Sequence, residues 1–403
     1  MKYSKENQKS RHPGLDSGSN IPKLRFPEFE NDGEWREKPL NELLTIGNGK
    51  DYKHLSNGKI PVYGTGGYML SVNDYLYDGE SVCIGRKGTI DKPMFLTGKF
   101  WTVDTLFYTH SFKHCIPKYI FYNFGTINWY DYNEAGGVPS LSKTTINKIN
   151  IPVPPKDDVK EQQKIADCLS SIDNLITAST KKVEALKEHK KGLMQQLFPS
   201  EGKSVPKLRF PEFKNAPKWE EKTLGDVGKV SMCKRIMKDE TAETGKIPFY
   251  KIGTFGKKAD AYIDIELYED YRKKYSFPKK GDILISASGT IGRLVVYDGL
   301  PAYFQDSNIV WIDNNEELVI NSFLLFFYET VKWTTSDTTI ARLYNDNLRS
   351  VQILKPSIPE QQKIADCLSS IDELITASTK KVETLREHKK GLMQQLFPSA
   401  KEL

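Results

Sequence analysis

The chain has 403 residues, enough for two or three domains with cores of their own, and its 38% hydrophobic and 27% charged content reads as soluble and globular. The longest aromatic–aliphatic run, Phe323–Tyr328, falls far short of a membrane span, and a net charge of +6 permits a nucleic-acid partner without demanding one. The five cysteines (Cys83, Cys115, Cys168, Cys233 and Cys367) are widely spaced and include no CxxC pair, which suits a reducing cytoplasm better than a disulfide framework.

Residues 1–20 are basic but hold no apolar core, so a flexible tail is expected rather than a secretory signal. A first globular domain is expected over 21–156. It opens with IPKLRFPEF (Ile21–Phe29), followed by Trp35, and continues through GKIPVY from Gly58. SVCIGRKGTI is a strand-like run leading into a polar turn. Arg86, Lys87, Thr89 and Lys92 of that turn are candidate DNA contacts, with Gly88 letting backbone N–H groups approach a phosphate. FWTVDTLFY is a further strand candidate, and KYIFYNFGTINWY an aromatic segment expected to be helical and to feed the core. His110, His114 and Cys115 come closest to a metal cluster but lack a fourth ligand. SLSKTT adds Ser140 and Lys143, because Ser, Lys, Arg and Asn grip phosphates and read base edges.

A long helix is expected over 157–199. Ile165, Leu169, Ile172, Ile176, Val183, Leu186, Leu193 and Leu197 follow alternating steps of three and four, with Ser179 and Lys190 as polar interruptions. That is a heptad seam, and polar seam positions fix register at some cost in stability. Pro199 stops the helix, and the crowd of Lys residues in its last half suits the negative end of the helix dipole.

The second half, 200–356, repeats the first. VPKLRFPEF returns at Val205–Phe213, Trp219 matches Trp35, GKIPFY from Gly245 matches GKIPVY, and the GTI of Gly88 returns at Gly289. Asp306, Trp333 and Leu343 match Asp104, Trp129 and Leu141. The spacing between copies widens between Ile247 and Gly289, as an insertion in a variable surface loop would make it. DILISASG and NIVWI are strand candidates, and NSFLLFFYETVKW is the second aromatic segment. Lys234, Arg235, Ser288, Thr290, Arg293, Arg342 and Asn345 are the candidate DNA contacts here.

A second long helix is expected over 357–399, followed by a short tail at 400–403. Its seam is Ile364, Leu368, Ile371, Ile375, Val382, Leu385, Leu392 and Leu396, interrupted by Ser378 and Lys389. Glu161–Ser200 and Glu360–Ser399 differ only at Asn174/Glu373, Ala185/Thr384 and Lys187/Arg386. Ser357 three residues before Glu360, with Pro359 in the first turn, reads as a capping box. Each helix spans roughly 55 Å. The second domain joins the end of the first helix to the start of the second, and its radius of gyration of about 15 Å is too small to bridge a parallel pair comfortably. The expected fold is therefore α+β: two homologous globular domains separated by two long antiparallel coiled-coil helices, with pseudo-two-fold symmetry.

Catalytic signatures are missing. YGTGG and GRKGT are not Walker A loops, and neither GxSxG nor HExxH occurs.

The duplicated pattern resembles the specificity (S) subunit of type I restriction-modification systems. The residues that carry the resemblance are LRFPEF with Trp35 or Trp219, the GRKGT and SGTIG loops, EQQKIADCLSSID at each helix start and KGLMQQLFP at each helix end. The resemblance implies that each globular domain is a target recognition domain reading one half of a split, non-palindromic DNA site. It implies that the helices hold the two at fixed separation and dock methyltransferase subunits, two copies, joined by restriction subunits. No cofactor is then bound by this chain: S-adenosylmethionine, ATP and Mg belong to partner subunits, and the chain is not itself an enzyme. SASG in place of GRKG weakens any transfer of an Arg86 contact to the second half. The alternative from another class is a coiled-coil scaffold joining two protein-binding domains, which would show no salt-dependent DNA affinity.

Overall fold

The computed structural model describes residues 20–333, 343 and 345–398. Apart from Asn20, the two tails lie outside the described residues. The chain divides into two compact units, Met1–Thr180 with Lys380–Leu403, and Lys181–Thr379.

In unit 1, β1 (Arg36–Pro39) pairs antiparallel with β10 (Asn150–Val153). Between them in sequence lie the short helix α1 (Leu40–Leu43) and strands β2 (Thr45–Asn48), β3 (Asn57–Gly64), β4 (Gly67–Val72), β5 (Tyr77–Asp78), β6 (Ser81–Gly85), β7 (Met94–Leu96), β8 (Lys99–Thr102) and β9 (Leu106–His110). These strands form two four-stranded sheets, in the orders β2-β9-β6-β7 and β4-β3-β8-β5. Every residue of β6 is buried, which is why SVCIG reads as a continuous apolar run rather than an alternating one. FWTVDTLFY is two strands, not one. It breaks at Val103–Thr105, where the Thr105 carbonyl accepts the Arg86 and Lys87 amides at 2.8 and 3.3 Å.

The aromatic segment forms α2 (Pro117–Phe124), opened by proline at its first position and closed at Gly125. Helix α3 (Lys143–Asn147) is capped by Ser142, whose side chain accepts from the Thr145 amide at 3.1 Å. The long helix α4 (Lys160–Leu197) starts in this unit. Its Ile165 and Leu169 join Trp35, Tyr119, Tyr122 and Trp129 in one buried cluster. Leu396 and Phe397, from the far end of the chain, belong to the same cluster.

Unit 2 repeats the plan. β11 (Glu220–Thr223) pairs with β20 (Gln352–Lys355), followed in sequence by α5 (Leu224–Val227). β12 (Gly228–Ser231), β16 (Ile283–Ser286), β17 (Leu294–Val296) and β19 (Ile309–Asn314) form the sheet β12-β19-β16-β17. β13 (Thr241–Ala242), β14 (Ile247–Tyr250), β15 (Tyr262–Ile263) and β18 (Tyr303–Phe304) form the other, β13-β15-β14-β18. The parallel pair β3–β8 recurs as β14–β18, so the framework is the same. The insertion adds α6 (Ile265–Lys274), which has no counterpart in unit 1. α7 (Asn321–Thr330) and α8 (Asn345–Arg349) repeat α2 and α3. Trp333 follows α7 rather than belonging to it.

The second long helix, α9 (Ile358–Leu396), starts in unit 2 and ends in unit 1. Each unit therefore contains the start of one long helix and the end of the other. Their contacts are antiparallel in both units: Asp173 meets Lys389 at 2.6 Å in unit 1, and Asp372 meets Lys190 at 2.8 Å in unit 2.

Candidate nucleic-acid interface

The turn after β6 is built by backbone constraints. Gly85 sits against the Thr89 carbonyl with no room for a Cβ, and Gly88 has a φ of 94°, which favours glycine. The Gly88 amide donates to the Pro139 carbonyl at 2.9 Å, Leu141 N donates to Arg86 O at 2.9 Å, and Lys87 forms a bridge with Ser140. This stitching brings the two sequence-derived groups together. Arg86, Lys87, Ser140 and Lys143 line one open cleft of about 920 Å³. Arg86 and Lys87 are exposed, and the Arg86 guanidinium donates to the Asp104 carbonyl at 3.3 Å. Asn48, Asp104 and Glu134 also line the cleft, and the sequence does not mark them as site residues. The Glu134 carboxylate accepts from the Thr145 hydroxyl and the Ser142 amide, so it anchors α3 beneath Lys143. Thr89 is half-buried, and Lys92 is exposed, but neither lines the cleft.

The Cys115 thiol of the sequence-level metal cluster donates to Leu43 O at 3.3 Å, and burial pushes its pKa up to about 11. His114 offers its carbonyl to Gln162, and the His110 ring meets the Ser111 hydroxyl at 2.9 Å. Among the described residues no group of three or more His, Cys, Asp or Glu could hold a metal ion.

In unit 2 the equivalent turn keeps one of these backbone bonds and carries different side chains. Leu343 N donates to Ala287 O at 2.8 Å, repeating the Leu141–Arg86 bond. The Ser288 hydroxyl donates to Asn308 Oδ1 at 2.9 Å, and Thr290 is exposed. The guanidinium of Arg293, another candidate contact, donates to the Phe255 carbonyl at 2.8 Å and holds the turn after β14. Arg235 is exposed and pairs with Asp306 at 2.9 Å, where its neighbour Lys234 lies over the Tyr275 ring. Asn345 is exposed at the first position of α8, the place Lys143 takes on α3. Arg342 lies outside the described residues.

The repeated helix starts have a role the sequence conceals. In unit 1, Arg25 donates twice to the Glu161 carboxylate, at 2.7 and 2.8 Å, and Trp35 Nε1 adds a third bond at 3.2 Å. In unit 2, Arg209 and Trp219 do the same to Glu360, at 2.7, 2.7 and 3.3 Å. Glu360 therefore does not serve the expected capping box, because its carboxylate is taken by a buried guanidinium. The next residue, Gln162 or Gln361, accepts from the amide of Ile116 or Ile320, the residue that precedes the aromatic helix. LRFPEF, Trp and EQQ thus form one latch that ties the segment before the first strand of each unit, the aromatic helix and the long helix together.

Along the seam Ile165, Leu169, Ile172, Val183, Leu197, Ile364, Leu368, Ile371, Val382 and Leu396 are buried. Ile176, Leu186, Leu193, Ile375, Leu385 and Leu392 are half-buried. The polar seam positions Lys190 and Lys389 take the crossing ion pairs. Lys190 also bonds Glu329 at 2.8 Å, and the Tyr122 hydroxyl donates to Asp173 at 2.8 Å.

Among the described residues no helix is long and apolar enough to cross a membrane. The sequence pattern of the type I restriction modification DNA specificity domain matches residues 32–188 and again 217–386. A protein described as a putative type I restriction enzyme specificity subunit of Haemophilus influenzae is 39% identical over 355 residues, 86% of this chain and 89% of that one. The MjaVIII specificity subunit of Methanocaldococcus jannaschii is 28% identical over 357 residues, covering 82% and 79%. The crystal structure of the S subunit from M. genitalium superposes with a TM-score of 0.66 over 94% of this chain and 99% of that one, at 16% identity, a likeness of fold. With two copies of the domain and relatives of matching length, the chain belongs to the type I restriction-modification DNA specificity family, whose role is recognition rather than catalysis.

Proposed function

We propose that this chain is the DNA-reading subunit of a type I restriction-modification complex, with unit 1 and unit 2 each reading one half of a bipartite, non-palindromic site. The carrying observation is a shared strand framework with unlike side chains. Arg86 and Lys87 stand where unit 2 has Ala287 and Ser288, and Lys143 where it has Asn345. Equivalent positions with different donors and acceptors select different bases. The near-identical long helices suit a role common to both halves. They set the unread gap and dock methyltransferase subunits, two copies, to which restriction subunits add. S-adenosylmethionine, ATP and Mg are held by those partners, in the cytoplasm.

The test is methylome sequencing of cells carrying this chain and its methyltransferase partner. A gapped adenine-methylated site with two different halves is expected. Replacing Arg86 and Lys87 with alanine changes one half only; a change in both halves refutes independent readers. Adding four residues to one long helix, about 6 Å, lengthens the gap by about two base pairs at ~3.4 Å each. An unchanged gap refutes the spacer role.

A further inference from the structure

The strands β3 and β4 form a hairpin whose closing pair is Gly64 and Gly67, leaving Thr65 and Gly66 as the two tip residues. The tip abuts the GRKGT turn: a Cβ built on Gly88 would lie 3.6 Å from the Thr65 hydroxyl oxygen. The next two residues are large and bare, Tyr68 at 62% and Met69 at 49% exposure. Tyr68 stacks edge-on against its cross-strand partner Tyr63, which packs on the buried cluster of Cys83, Leu96, Phe100 and Leu106. The exposed ring is therefore mounted on a rigid base beside a cleft lined by Arg86, Lys87 and Lys143. In unit 2 the segment leaving the equivalent strand occupies the same place, since Ile252 is the nearest neighbour of Gly289 at 3.8 Å.

We infer that the Thr65–Met69 hairpin tip is a base-contacting element of unit 1, with Tyr68 placing its ring, and Met69 its thioether, against the bases of the half-site. The occupant is duplex DNA, since the adjacent cleft presents Arg86, Lys87 and Lys143 to its phosphates against Asp104 and Glu134, a lining that stays net positive. Aromatic rings and apolar wedges beside a basic track are the means by which proteins contact bases at a deformed step. The inference rests on the DNA-reading role proposed above. Gly66 offers a clean probe. An added Cβ meets nothing within 4 Å, and its φ lies outside the left-handed region, so the fold tolerates a side chain there.

The full chain, purified with its methyltransferase partner, is titrated against a fluorescent duplex bearing its methylated target, and against duplexes with each half-site scrambled in turn. Tyr68→Ala and Gly66→Val are expected to weaken target binding on the order of tenfold, with Tyr68→Phe close to wild type. The loss should vanish when one particular half-site is scrambled. If both variants bind like wild type while Arg86→Ala with Lys87→Ala weakens binding, the hairpin is not a reader and the inference falls alone. If the basic variant also binds like wild type, the DNA-reading role of unit 1 falls with it.

Discussion

Replacing Glu360 with glutamine isolates the energetics of the latch. The Arg209 and Glu360 side chains are 9% and 1% exposed and joined by two bonds of 2.7 Å, with Trp219 as a further donor. Glutamine keeps the size but removes the charge and one acceptor, while the guanidinium stays ionised and buried. Leaving one partner of a buried pair costs about 3–5 kcal/mol. Hydrogen exchange read by mass spectrometry over 205–219 reports this directly. At about 1.4 kcal/mol per factor of ten, a 3 kcal/mol loss is roughly a 150-fold loss of protection where exchange follows local opening. Glu161→Gln should do the same over 21–35, because its bonds match. Replacing both members, Arg209→Met with Glu360→Leu, should recover part of the loss, since a hydrophobic pair carries no desolvation cost while Trp219 Nε1 still loses its acceptor. The exposed pair of Glu28 and Lys164 is the reference, and Glu28→Gln should leave protection unchanged. Protection within threefold of wild type in Glu360→Gln, or a double variant no better than the single one, refutes the reasoning.

Among the described residues the Tyr328 hydroxyl is buried without a hydrogen-bond partner. Tyr328→Phe should therefore stabilise unit 2 by about 1 kcal/mol, seen as a higher denaturation midpoint; a drop would reveal a partner. Burial raises the Asp282 pKa above its ordinary 3.8, so the fold favours the protonated acid, and stability falls as pH climbs from that value through the raised one. Asp282→Asn should flatten that slope and stabilise the protein at neutral pH, measured by urea titration across the acid range. A double-mutant cycle on Asp173→Asn and Lys389→Met should give a coupling of about 0.5–3 kcal/mol, as a register-fixing pair requires; zero coupling would remove that role.

Much of the architecture is legible in the sequence because repetition does not depend on context. The heptad steps from Ile165 to Leu197 and the prolines at 199 and 398 mark both helices without any knowledge of neighbours. The latch is not legible. LRFPEF and EQQ are visible as motifs, but Arg25 and Glu161 are far apart in sequence, and an Asp or Glu at a helix start has a local reading as a cap that masks a distant partner. The grouping of the candidate residues is legible only in part. Arg86, Lys87, Ser140 and Lys143 gather because backbone bonds join their loops. The bond from Arg293 to the Phe255 carbonyl is not legible, because Phe255 sits in the inserted segment that has no counterpart to compare. The hairpin tip escapes a sequence reading because YGTGG, tested as a nucleotide-binding loop, simply fails; that Tyr68, the residue after it, stands bare near the basic turn depends on strand pairing.

The core of unit 1 includes Leu396 and Phe397, with Phe397 against both Trp35 and Tyr119. A ribosome that has finished the first 180 residues must still make about two hundred more before those side chains exist, some 10–40 s at ordinary elongation speeds. The domain encoded first is thus the one completed last. A nascent chain waits without the Phe397 ring against Trp35 and Tyr119, and a premature stop near the 3′ end of the message damages the beginning of the protein.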